Sequence, residues 1–188
     1  MSILAIFPAS EPDLSIPEIV RDYSKISKIL EGIGVTFERW DTPAHLSDHS
    51  SSGEILSAYA KSVDRIKKEN NFQSADVVSL TPDNPEKEAF RGKFLKEHTH
   101  TDYEIRFFVD GCGLFYLHVE NMIYGVLCEK GDLISVPANT THWFDMGSKP
   151  FFKCIRLFTD PAGWVGHFTG SDISQKFPDY DEYCENIK

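Results

Sequence analysis

The sequence lacks long apolar runs and any surplus of basic residues. Its hydrophobic stretches fall short of the roughly 18 residues that a membrane-spanning helix needs, and its first residues, MSILAIFPASEPD, lack the basic region of a secretory signal. The 29 acidic residues outnumber the 19 basic ones, for a formal net charge of −10, which opposes binding to a phosphate backbone. We therefore expect a cytoplasmic protein that binds neither membrane nor nucleic acid.

Cysteine is also scarce, and no two cysteines have the CxxC spacing of a zinc knuckle or redox pair. The chain has four, namely Cys112, Cys128, Cys154 and Cys184. In a protein without a secretory signal such residues are usually free thiols, mostly buried. We therefore expect neither a disulfide nor a cysteine-based metal site.

The chain shows no linker, internal repeat or low-complexity segment, and 188 residues suit one domain. The periodicity predicts helices over 15–30, 51–70 and 84–98. After residue 98, β-rich runs end in turn signals about every ten residues, for example at Asp110-Gly111. We predict one mainly β domain over 1–188. Helices and strands of 1–90 decorate a barrel core formed by 91–170, and 171–188 form a C-terminal tail.

The segment EHTHTDYEIRFF (97–108) contains several side chains that could bind a metal ion or take part in catalysis. Alternate side chains of a strand share a face, so His98, His100, Glu104 and Arg106 would lie together. Burying such polar and charged groups costs free energy unless hydrogen bonds, opposite charges or a metal ion compensate for the lost solvation. Imidazole and carboxylate are suitable ligands for a divalent ion of Fe, Ni, Mn, Co or Zn. His142, after the turn that follows LISVPA, is the candidate for a fourth ligand.

The other histidines are weaker candidates. His45 and His49 lie in a polar loop and are expected to be solvated, whereas His118 and His167 are expected at the surface or in packing. An HxH pair alone is also common on exposed edge strands. The longer spacing is more specific and fits the first cupin motif at every position: Gly92, His98, His100, Glu104 and Gly111.

The second cupin motif is matched with two departures. Gly131, Pro137 and His142 are in register, while Asn139 replaces the usual glycine and Met146 the usual asparagine. Neither departure removes a ligand. Asparagine tolerates the left-handed backbone conformation nearly as well as glycine, so the turn is expected to survive.

Longer segments resemble the acireductone dioxygenase family of cupins, from about Ile55 to Gly170. They include DVVSLTPDNP, EIRFFVDGCGLFYLHV, VLCEKGDLISVPANTTHWFDMG and GWVGHFTG. The resemblance implies a cupin double-stranded β-helix, or jelly-roll barrel, with helices packed outside. It also implies a metal-dependent dioxygenase that cleaves the enediol 1,2-dihydroxy-3-keto-5-methylthiopentene with O2 in methionine salvage.

The resemblance implies one metal ion held by His98, His100, Glu104 and His142, with two adjacent positions open for substrate. The ion is expected to be Fe(II) or Ni(II), with Co(II) and Mn(II) as further candidates. Iron implies 2-keto-4-methylthiobutanoate and formate as products. Nickel or cobalt implies 3-methylthiopropanoate, carbon monoxide and formate.

Five further residues receive expected roles. Arg106 would offset the charge of the anionic substrate, or else form a salt bridge on the barrel rim. Glu97 would steady a ligand imidazole, or else be an exposed carboxylate at a helix end. The aromatic residues Phe107, Phe144 and Trp164 would line a pocket for the methylthio tail.

Two alternatives to this function remain at the level of sequence. One is a cupin dioxygenase or decarboxylase of other specificity, and the other is a non-catalytic metal-binding cupin. Because non-catalytic cupins often lack one or more metal ligands, the presence of all four candidate ligands favours an enzyme. Family members that resemble this chain lead us to expect a monomer.

Overall fold

The computed structural model describes residues 1–10, 17–42, 46–47, 49–160 and 165–187. Their strands are β1 (Ile3–Pro8), β2 (Glu18–Val20), β3 (Thr36–Arg39), β4 (Ser74–Leu80), β5 (His98–Thr99), β6 (Glu104–Val119), β7 (Met122–Glu129), β8 (Asp132–Val136), β9 (Thr141–Asp145), β10 (Phe152–Phe158) and β11 (His167–Phe168). The helices are α1 (Tyr23–Glu31), α2 (Ser52–Ala58), α3 (Ala60–Asn70), α4 (Lys87–Phe94) and α5 (Tyr180–Asn186), with a 3-10 turn at Ile173–Lys176.

The strands form two antiparallel sheets that share β6. One sheet has the order β11-β5-β9-β6-β7-β1-β2, and the other has β3-β8-β6-β10-β4. The first half of β6 pairs with β8 and β10, and its second half pairs with β7 and β9. This folded-over arrangement confirms the predicted mainly β, jelly-roll class. Strands β1, β3 and β4 show that the first 80 residues contribute to the sheets as well as to the helices.

The turn predicted at Asp110-Gly111 is wrong, because β6 runs through it as one strand of 16 residues. A two-residue hairpin of the favoured type needs positive φ at both positions, and of this pair only Gly111 has it, at 74°. A side chain there would place Cβ 2.0 Å from the Phe151 carbonyl oxygen. Gly111 therefore lets the strand bend from one sheet into the other.

The helices are shorter than their sequence patterns indicate. Helix α1 begins at Tyr23, after its N-cap Asp22, and not at residue 15, because residues 18–20 pair with β1 as β2. The segment 51–70 begins with a capping box between Ser51 and Glu54 but divides at Tyr59 into α2 and α3. Within the described ranges, none of the helices has the length and apolar character needed to cross a membrane.

Three clusters of buried side chains hold these layers together. The first lies between the two sheets and extends to α1, and it includes Phe108, Phe115 and Phe144. The second lies between the outer face of one sheet and helices α2 and α3, and the third lies between the other sheet and α5. Helix α5 thus packs on the sheet, since Tyr183 is fully buried and donates to the Gly125 carbonyl at 2.9 Å.

Candidate metal centre

Three neighbouring strands bring the four predicted ligands together inside the barrel. His98 lies on β5 directly opposite His142 of β9, His100 follows β5, and Glu104 begins β6. All four side chains are buried, and their ligand atoms lie within 4.8 Å of one another. The four side chains predicted as ligands thus lie together, although His98 and Glu104 belong to different strands and not to one extended segment.

Backbone carbonyls orient all three imidazoles. The Nδ1 atom of His98 lies 2.6 Å from the carbonyl oxygen of Lys96. That of His100 lies 3.3 Å from the carbonyl oxygen of Val165, and that of His142 lies 2.8 Å from the carbonyl oxygen of Thr140. A carbonyl oxygen can only accept a hydrogen bond, so each Nδ1 is the protonated nitrogen. In the neutral rings, each Nε2 therefore presents a lone pair.

Two of these lone pairs converge on the carboxylate of Glu104. Its Oε2 lies 2.9 Å from His100 Nε2 and 3.0 Å from His142 Nε2. Lone pairs at this distance repel one another unless a cation lies among them. Ligands that bond one ion at right angles, as in an octahedral site, are about 3.0 Å apart when each bond is about 2.1 Å, so these distances fit a metal ion.

The pKa shifts of two candidate ligands favour the protonation states that metal ligands need. Burial raises the pKa of Glu104, whereas the Arg106 charge lowers it, and the net pKa lies well below its usual range. Burial lowers the pKa of His98 to about 4. Ligation requires an ionised carboxylate and a neutral imidazole, which are the forms that these two shifts stabilise. At His100 burial lowers the pKa, but the Glu104 carboxylate beside it raises it overall, so that ring becomes a neutral ligand only when an ion displaces its proton.

Arg106 is enclosed beside the cluster. Its side chain is buried, and its Nε donates to Glu104 Oε1 at 2.9 Å. The guanidinium carbon lies 4.6 Å from the ring centroid of Phe144 and 5.7 Å from those of Phe94 and Phe115. Arg106 is therefore inside the barrel, against the alternative of a rim salt bridge, and these rings hold its charge next to the ligands.

A cavity of about 460 Å³ opens onto the cluster. Three of the candidate ligands line it together with Arg106, Phe144, Gly166 and Phe168. The other lining residues lie on β4, α4 and β10, namely Ser74, Ala75, Asp76, Lys93, Phe94, Arg156 and Phe158. Aromatic rings therefore form part of the wall of the cavity that contains the candidate metal centre.

The three predicted pocket aromatics have different placements. Phe144 lines the cavity. Phe107 is in the core on the other face of β6, where its ring stacks on Trp40 at 4.4 Å and meets Tyr59 edge-on at 4.7 Å. The structure thus places Phe107 between the sheet and helices α2 and α3, away from the cavity lining. Trp164 lies outside the described residues.

Glu97 is buried but does not steady a ligand ring directly. Its Oε1 lies 2.7 Å from His118 Nδ1, and its Oε2 accepts from Thr169 Oγ1 at 2.6 Å. The Glu97 carbonyl also accepts from the Thr169 backbone at 3.1 Å. Glu97 therefore joins β6 to the segment that carries Gly166 and Phe168, which covers the His98 ring.

Of the other histidines, His49 and His167 are exposed and His118 is half-buried, while His45 lies outside the described residues. Asn139 has φ of 63° and donates to the His100 carbonyl at 2.8 Å, so the predicted left-handed turn is confirmed.

The sequence interpretation missed Phe94, Asp76 and Arg156 as cavity residues. Phe94 lies in a segment whose helical pattern the sequence shows. Asp76 and Arg156 reach the cavity only through the register of their strands, which the sequence does not show.

Comparison with known proteins identifies the family. The model of the ARD/ARD' family matches residues 6–166. Acireductone dioxygenase of Methylococcus capsulatus is 52% identical over 186 residues, 99% of each chain. That of Hydrogenobaculum sp. is 56% identical over 168 residues, 89% of this chain and 92% of the relative. The chain belongs to the acireductone dioxygenase family.

A solved member of this family has the same fold. It is acireductone dioxygenase from Bacillus anthracis with a cadmium ion in its active centre, with a TM-score of 0.79 and 31% identity over 89% of this chain and 98% of that chain. Membership confirms the predicted cupin fold and an oxygenase that uses a small-molecule substrate and O2. The buried four-residue cluster supports a single metal ion.

Proposed function

We propose that the protein cleaves 1,2-dihydroxy-3-keto-5-methylthiopentene with O2 in methionine salvage, using one ion held by His98, His100, Glu104 and His142. The convergence of imidazole lone pairs on the Glu104 carboxylate, in a cavity lined partly by aromatic rings, carries this proposal. When bound, the ion would supply a Lewis acid that favours the ionised form of the enediol.

Arg106 supports this chemistry by its fixed charge. Because its guanidinium is buried beside Glu104, it offsets the negative charge that an ionised enediol adds to a carboxylate site. An arginine keeps its proton even when buried. We assign Arg106 to charge stabilisation of the substrate and to holding the Glu104 carboxylate in place.

The aromatic wall suits the methylthio tail. Phe94, Phe144, Phe158 and Phe168 all line the cavity, and thioether sulfur packs favourably against aromatic rings. These rings also exclude water from the bound enediolate. The tail would therefore point along the cavity, away from the ion, and so place the reactive oxygens beside the candidate ligands.

The bound metal would select the products. With Fe(II) we expect 2-keto-4-methylthiobutanoate and formate, and with Ni(II) or Co(II) 3-methylthiopropanoate, carbon monoxide and formate. Three imidazoles and one carboxylate do not discriminate these ions except by the general order of affinity. Metal supply in the cell would therefore decide the outcome.

The test is a product analysis after metal exchange. Protein stripped of metal is loaded with Fe(II) or Ni(II) without oxygen, mixed with the enediol and exposed to O2. The keto acid from iron and carbon monoxide from nickel are expected, while His98→Ala should retain no metal. One ion per chain without O2 uptake, or activity only on oxalate or a flavonol, would replace this function by another cupin activity.

We also propose that the enzyme works as a monomer in the cytoplasm. All four cysteines are free thiols, which suits a reducing compartment. Sedimentation equilibrium at micromolar concentration should give a single species near the chain mass of 21.4 kDa. A species of twice that mass would overturn the monomer.

A further inference from the structure

One wall of the cavity contains a row of charged residues that runs across three strands. Arg106 of β6 lies directly opposite Arg156 of β10, and Arg156 lies directly opposite Asp76 of β4. Residues opposite one another in an antiparallel pair share a face, with Cβ atoms about 4.5–5.5 Å apart. All three side chains line the cavity, so the two guanidinium groups are neighbours along one wall.

Like charges in opposite positions destabilise a sheet, and here each arginine has a carboxylate beside it. Arg156 donates to Asp76 twice, from Nε to Oδ1 at 2.8 Å and from Nη2 to Oδ2 at 2.6 Å. Arg106 donates to Glu104. The double contact fixes the plane of the Arg156 guanidinium, which also lies 5.2 Å over the Phe158 ring.

The cavity still has a surplus of positive charge. Its lining includes three basic side chains, Arg106, Arg156 and Lys93, against two carboxylates, Glu104 and Asp76. The chain as a whole has a net charge of −10. A positive cavity in so acidic a protein attracts small anions to one place.

We propose that Arg156 is a second anion-binding group, which recognises the oxygen anion of small keto-enol and carboxylate ligands that carry an apolar tail. This inference rests on the proposed function and extends it to ligand specificity. A planar guanidinium matches a carboxylate or an enediolate better than a point charge does. Asp76 positions Arg156 and also competes for it, which keeps anion binding weak enough for product release.

The test compares an acid with its neutral isostere. Isothermal titration of the Ni(II)-loaded enzyme would measure the affinity for 3-methylthiopropanoate and for its primary amide, which have nearly the same shape. Arg156→Gln should weaken binding of the acid about tenfold, the lower end for a hydrogen bond to a charged group because 26% of the Arg156 side chain is exposed. Binding of the amide should change less than about twofold, and Arg156→Lys should restore part of the acid affinity.

Asp76→Asn should act in the opposite direction. Without the competing carboxylate, the acid should bind about three times more tightly, while the amide is unaffected. The matched control is Arg65→Gln, which removes an arginine paired with Glu38 and Glu69 on the surface and should alter neither affinity.

Equal losses for acid and amide in Arg156→Gln would show a structural role, and no loss for either would remove Arg156 from the binding site. Either result overturns the inference. Failure of the proposed function is separate, because the wild-type enzyme would then consume no O2 with the enediol. With turnover present, Arg156→Gln should raise KM for the enediol about tenfold and change kcat by less than about threefold.

Discussion

Replacement of Phe107 by leucine separates the stability of the barrel from the chemistry inside it. Phe107 is fully buried and makes two aromatic contacts, with Trp40 at 4.4 Å and with Tyr59 at 4.7 Å. Each such pair contributes about 0.5–1.5 kcal/mol beyond buried area. Leucine keeps most of the apolar volume and loses both contacts, so Phe107→Leu should cost about 2 kcal/mol of unfolding free energy. For a chain of this length that lowers Tm by about 4–8 °C.

The assay is thermal unfolding of the metal-loaded protein together with steady-state kinetics. Phe107→Leu should show the lower Tm with KM unchanged, because the ring faces helices α2 and α3. The control is Phe144→Leu, which removes a ring that lines the cavity and covers Arg106 and should lower kcat/KM about tenfold. A raised KM with an unaltered Tm in Phe107→Leu would refute the reasoning and return Phe107 to the pocket.

Three further predictions test other parts of the molecule. Arg106→Met should keep the metal, measured by mass spectrometry of the metal content, and lose turnover at least about 100-fold; unchanged rates would exclude its role. Arg91→Leu should cost about 3 kcal/mol in urea unfolding, since it leaves the fully buried Asp145 carboxylate without its guanidinium; a loss below about 1 kcal/mol would contradict this. Burial raises the pKa of Cys154 to about 12, so at pH 8 this thiol stays protonated and should react with a disulfide reagent only after unfolding, whereas the half-buried Cys112 should react in the native protein.

The candidate ligand cluster could be predicted from the cupin-like spacing of its residues more than from the period of one strand. His98 lies on β5, whereas Glu104 and Arg106 lie on β6, so only the last two share a face by the two-residue period. The rule also assigns Phe107 to the opposite face, where the structure has it. The pocket role expected for Phe107 was based on its aromatic character. The alternation of side chains along the strand, which places Phe107 on the opposite face, would have given the correct position.

Other features depend on contacts that are distant in the chain. The Asp110-Gly111 pair is typical of a turn, but in the structure the strand only bends at Gly111. Local residues do not reveal whether the next segment pairs with its predecessor or with another strand. The pairing of Arg156 with Arg106 is set by the register of β10 on β6, with a shift between Lys153 and Cys154. Such a register is decided by packing across both sheets, and no local pattern encodes it.

The backbone carbonyls that orient the three imidazoles have a consequence for how the enzyme can change. A carbonyl group is present whatever the side chain, so substitutions at Lys96, Thr140 and Val165 leave the ligand tautomers intact. Deletion of one residue in any of these loops would instead move the carbonyl and turn the ring. The orientation of the imidazoles is therefore robust to point mutation at these three positions and sensitive to changes of loop length. The side chain of Val165 is exposed, so a spectroscopic probe can be attached there, close to the candidate metal centre.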